Sequence, residues 1–126
     1  MKNIILFLIT VFVLALQNNI FSQSERWIEM KVTSEYELYY DKQTLTESET
    51  ISNHNFGVWI KYISKASTEL NQVLYRFVIK CKRMEIIESM REEYYKDETS
   101  KTITTGETFY IIPDTYSEYI FNYFCK

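Results

Sequence analysis

The chain has 126 residues with 14 basic and 17 acidic side chains, and its net charge of −3 argues against a nucleic-acid partner, whose phosphates call for clustered lysine and arginine. Aromatic residues, 11 of them tyrosine, make up 17% of the chain, while it has only two glycines and one proline. That composition suits strands and excludes a disordered chain, and the length fits one domain.

At the start of the chain, Lys2 precedes the apolar run 4–16 and the polar stretch Gln17-Asn18-Asn19, the order of a secretory signal peptide. The run of about 13 residues is shorter than the roughly 20 that a membrane-crossing helix needs, so no stable transmembrane anchor is expected. Small side chains place cleavage between Ser22 and Ser24, although Ile20 makes the site imperfect. Residues 1–23 are read as the signal peptide and residues 24–126 as one exported domain. Cleavage removes Lys2 and no acid, leaving 13 basic and 17 acidic residues, or −4. No cysteine lies in residues 1–30, so the lipid-attachment cysteine of a bacterial lipoprotein is missing. The expected location is the periplasm, the cell surface or the medium.

Residues 27–32 and 36–41 alternate as strands, and the short 33–35 segment suits a hairpin connection. Residues 42–55 are polar and read as a long connection with a short turn. The clearest strands follow, with Phe56, Val58, Ile60 and Tyr62 on one parity and Val73, Tyr75, Phe77, Ile79 and Cys81 on the matching parity of the next run, both facing the core. A turn at 81–83 leads to a strand over 84–95, where the Ile86-Ile87 pair suggests a bulge. Residues 96–106 are expected to form a mobile loop, and residues 108–112 a strand ended by Pro113 and Asp114. Tyr116, Tyr119, Ile120, Tyr123 and Phe124 recur at helical spacing, with Thr115 and Glu118 in capping-box relation at the start and Lys126 complementing the C-terminus.

Both cysteines, Cys81 and Cys125, lie in the exported part, and an even pair in an oxidising compartment reads as a disulfide. Their separation of 44 positions is unlike the close spacing of a redox pair. The bridge would fasten the helix across one face of the sheet. The other face, by parity, carries Trp27, Glu29 and Lys31, then Trp59 and Lys61, then Leu74, Arg76, Val78 and Lys80. Trp27, Trp59, Lys61, Arg76 and Lys80 form the candidate binding face, because tryptophan and arginine are over-represented among residues that dominate binding energy. Lysine or arginine lying over an indole within the molecule is the structural alternative.

Catalysis has little support. His54 is the sole histidine and sits in a polar stretch without GxSxG, HExxH or a catalytic-cysteine context, so it reads as a solvated loop residue; no catalytic, metal or cofactor site is expected. The acidic series Glu85, Glu88, Glu92, Glu93, Asp97 and Glu98 reads as a solvated face.

Trp27, Tyr39-Tyr40-Asp41, Val58-Trp59-Ile60-Lys61, Val78-Ile79-Lys80-Cys81, Ile112-Pro113-Asp114 and Cys125 together resemble the bacterial surface-adhesin protein E domain family over nearly the whole of residues 24–126. The resemblance implies an α+β fold, an antiparallel sheet of about six strands with a C-terminal helix packed on one face and tethered by the disulfide. It also implies an adhesin-type role in binding extracellular host proteins. The matching residues build the scaffold, so no binding residue carries over. The alternative is a periplasmic structural, interaction or inhibitor-type protein without a host ligand. Exposed strand edges leave a homodimer open.

Overall fold

The computed structural model describes residues 26–67 and 69–126; the expected signal peptide and its cleavage site lie outside them. Among the described residues seven strands form one antiparallel sheet: β1 (Trp27–Val32), β2 (Tyr36–Asp41), β3 (Thr46–Glu49), β4 (His54–Ser64), β5 (Leu70–Lys80), β6 (Glu85–Tyr95) and β7 (Ser100–Tyr110), followed by one α-helix, α1 (Tyr116–Cys125). The spatial order is β1-β2-β4-β5-β6-β7. Because β2 pairs with the C-terminal half of β4, the exposed strand β3 can pair with its N-terminal end along the same edge. The sheet is antiparallel and tethered to a C-terminal helix, as expected, but it has seven strands rather than about six.

Two 11-residue strands at the centre carry the clearest alternation. Phe56, Val58 and Ile60 of β4 face Ile79, Phe77 and Tyr75 of β5 across the ladder, and all but half-buried Tyr75 are buried. Ile120 and Phe121 of α1 close over this face with Leu38, Met30 and Ile86. Around them aromatic rings interlock: Phe124 meets Phe56 at 5.5 Å and Tyr40 at 5.6 Å, and Tyr116 meets Tyr62 at 6.1 Å. The Tyr119 hydroxyl donates to the Met30 carbonyl, tying α1 to the edge strand β1.

Cys81 and Cys125 are bridged, with Cα atoms 5.3 Å apart. Cys81 opens a single 3₁₀ turn, Cys81–Arg83, rather than ending β5, so the bridge ties the end of α1 to a turn at the sheet's margin. Met84 closes that turn with φ of 54°, a left-handed conformation, and its N–H donates to the Cys81 carbonyl.

Several expectations are corrected. The 42–55 connection contains β3, whose four residues are all exposed and so show no alternation. Residues 96–106 are not a loop, because only 96–99 turn and β7 already begins at Ser100. Ile86 and Ile87 pair in register, and the bulge falls at Ser89, whose hydroxyl donates to the Arg76 carbonyl at 3.1 Å. Tyr123 is 41% exposed, at the rim of the helix contact. At the helix start the Thr115 hydroxyl donates backward to the Ile112 carbonyl at 2.7 Å, while the Glu118 carboxylate accepts the Asp114 N–H at 2.9 Å, so the capping box is displaced by one residue.

Candidate binding face of the sheet

The side of the sheet away from α1 is built by the opposite parity of each strand. Pairing places Trp59 opposite Arg76 and Lys61 between Tyr39 and Leu74, and Leu74 in turn faces Glu92 on β6. On the edge, Trp27 stands opposite Asp41. Gly57 occupies this face beside Trp59, and a Cβ there would lie 2.6 Å from Thr46 Oγ1 and 3.5 Å from the Arg76 guanidinium. Glycine at that position therefore makes room for the Thr46 side chain of β3, whereas the arginine would be in ordinary contact with a Cβ.

The structure brings Trp27, Trp59 and Lys61 together and sets Arg76 next to them. Lys61 Nζ lies 4.6 Å from the centre of the Trp27 ring and 4.8 Å from that of Tyr39, and the Arg26 guanidinium lies 5.7 Å from the Trp27 ring. Burial against these rings lowers the Lys61 ammonium below its ordinary value, with Glu37 partly offsetting the shift. Lys80 stands apart, because its partners are Asn55 and Glu85 at the disulfide end of β5. Lys31 is not on this face. A bulge between Glu29 and Lys31 shifts the parity of β1, and Lys31 Nζ projects to the helix side, 4.6 Å from the centre of the Tyr119 ring.

Three residues that sequence reasoning left out of the site complete it. Arg26, Trp27, Asp41, Trp59, Leu74 and Glu92 line a cleft of about 240 Å³. Asp41 is fully buried, and its Oδ2 accepts from Arg26 Nε at 3.0 Å and Nη2 at 2.7 Å while its Oδ1 accepts the Gln43 N–H at 3.0 Å. Burial pushes this carboxyl up, but the Arg26 and Gln43 hydrogen bonds outweigh burial and hold it below the usual carboxylate range. The third, Glu92, accepts a 2.7 Å hydrogen bond from the Tyr94 hydroxyl, just as Glu37 does from Tyr39. The sign of a missed charge pair was present in the sequence: Asp41 has the same parity as Tyr39, and Arg26 directly precedes Trp27.

His54 is not in a loop. It begins β4, and its Nε2 lies 2.8 Å from Glu47 Oε1 on β3. No family model, curated protein or solved structure matches this chain. Among the described residues, no helix is long and apolar enough to cross a membrane.

Proposed function

We propose that this chain is an exported, adhesin-type protein that binds an extracellular or envelope protein through the helix-free face of its sheet, with Trp27, Trp59, Lys61 and Arg76 at the centre. The observation that carries this reading is the cleft between the two tryptophans, on the face that α1 leaves uncovered. Half-exposed indole rings beside a guanidinium offer large contact area at low conformational cost, which is the make-up of an interface hot spot. The resemblance to the surface-adhesin protein E domains supplies the adhesin part of the proposal, and the signal-like N-terminus supplies export.

Binding of immobilised extracellular-matrix proteins is compared for the wild type, Trp59→Ala and Arg76→Ala, with circular dichroism confirming the fold of each. Loss of binding in folded variants supports this face, whereas unchanged binding in the folded double variant removes it. Protease added to intact cells must also reach the protein, because an adhesin acts outside the envelope.

The Lys61–Trp27–Tyr39 stack favours a second reading, in which these side chains form a minor core and the protein serves as a periplasmic interaction or structural component. Unfolding of Trp59→Ala together with protection from protease on intact cells would select it.

A further inference from the structure

We propose that Glu47, Glu49 and His54 form a binding site for a divalent transition cation of the zinc class. The register of β3 on β4 sets Glu49 directly opposite His54, with Glu47 one rung further along opposite Phe56. Residues two apart on a strand share a face, so both carboxylates and the imidazole project to the same side of the ribbon. One donor atom from each lies within 4.8 Å of the others. Donor atoms around a tetrahedral zinc with bonds of about 2.1 Å are roughly 3.4 Å apart, so the set closes on one ion by rotation of the two exposed glutamates.

The ribbon is held from three directions. The His54 ring packs against Phe56, with centroids 4.8 Å apart, which fixes the imidazole plane. The turn is closed by the Thr50 N–H donating to the Asn53 carbonyl at 2.6 Å and the Asn53 N–H donating to Thr50 Oγ1 at 3.0 Å. Lys82 reaches across to the carbonyls of Thr50 and Ile51 at 3.1 and 2.6 Å, so its ammonium is committed to the turn.

The charges at the site have the sign that a cation requires. Glu47 and Glu49 lie side by side on one face, and among the described residues neither forms an ion pair with lysine or arginine; His54 is the one basic partner. A divalent ion held by both carboxylates would carry the opposite charge to this pair. One imidazole nitrogen with two carboxylates suits Zn²⁺ and its neighbours, whereas Mg²⁺ and Ca²⁺ favour all-oxygen sets. Three protein ligands leave the fourth position to water. The chain has no second histidine, and both cysteines are consumed by the disulfide, so zinc bound through an imidazole reports on this site.

The test uses tag-free protein titrated with ZnCl₂ by calorimetry and with CoCl₂ by visible absorption, with the ¹⁵N resonances of the single imidazole followed during the zinc titration. One site per chain is expected, with movement of the His54 resonances, no competition by excess CaCl₂, and affinity weakened by about tenfold or more in His54→Ala and by less in Glu49→Gln. The imidazole readout needs no substitution, so it decides the matter even if a variant fails to fold. Resonances that stay still through millimolar zinc, or a folded His54→Ala that binds as tightly as the wild type, would overturn the site.

Discussion

Two buried carboxylates in this protein are displaced from their ordinary values in opposite directions, because one has a cation in hydrogen-bond contact and the other does not. Glu88 is fully buried across the ladder from Phe77 and Glu107, and its carboxyl oxygens have no hydrogen-bond partner among the described residues; Arg91 Nε approaches only to 3.6 Å. Burial pushes the Glu88 carboxyl up, Arg91 partly offsets this, and Glu107 and Glu93 push it further. The native state therefore holds a proton that the unfolded chain releases, so this contribution to stability is full below the unfolded glutamate value and is lost as pH rises through the raised native value. Replacing Glu88 by Gln should flatten that limb of the pH profile and raise stability at neutral pH by about 1 kcal/mol, measured by urea unfolding at several pH values. An unchanged profile would mean that Glu88 does not titrate there. Asp41 behaves conversely: its lowered value gives stability that is present above the unfolded aspartate value and lost as pH falls through the native one. Arg26→Ala should cost about 1 to 2 kcal/mol at neutral pH, less than for a fully buried pair, because the guanidinium is 46% exposed. The same urea series would show it.

Among the elements, α1 depends on what its two ends hold. The bridge closes a loop of about 45 residues, so Cys125→Ala should cost about 2 to 5 kcal/mol, read as a fall in the denaturation midpoint under non-reducing conditions. Ile120 is 1% exposed beneath the helix, and its truncation to alanine should cost about 2 to 5 kcal/mol, whereas truncation of rim residue Tyr123 should cost much less. Equal costs at the two positions would show that the helix face is misplaced. The helix and the strands β4 and β5 were legible because one of their faces is apolar and the other is not. The first part of β7 was not: apart from half-buried Ile103, its residues Ser100 to Gly106 are polar or exposed on both sides at the sheet edge, so burial imposes no clear period of two on them. Short β3 escaped for the same reason. Lys31 was assigned to the wrong face because a single bulge residue, Met30, reverses parity, and a bulge on an edge strand leaves no mark in residue type. The candidate face was legible to the same depth: parity gave Trp59, Lys61 and Arg76, but the Arg26–Asp41 pair belongs to a strand end and the residue before it, where periodicity stops.

For the whole molecule, the order of the sheet predicts a gradient of stability from the middle outward. Strands β4 and β5 are hydrogen-bonded on both sides, and they carry Val58, Ile60, Phe77 and Ile79, which are almost fully buried under α1. Among the described residues, β7 at one margin pairs only with β6 and buries no side chain fully, Phe109 being partly buried against the core, and at the other β1 pairs only with β2 and fully buries only Met30. Opening an edge strand exposes little apolar surface, while opening the central pair must also separate α1 and strain the loop held by the disulfide. Native-state hydrogen exchange should therefore find the β4 and β5 amides exchanging only by global unfolding, with a dependence on denaturant equal to that of the whole protein. Amides of β7 should exchange through smaller openings with a weaker dependence, and those of β1 should fall between, since Tyr119 anchors that strand through the Met30 carbonyl. Reduction of the Cys81–Cys125 bridge should lower the protection of α1 and the β4–β5 pair while leaving β7 almost unchanged, because β7 already opens independently. If β7 were as strongly protected as β5 in dilute monomeric protein, the gradient drawn from pairing and burial would be wrong.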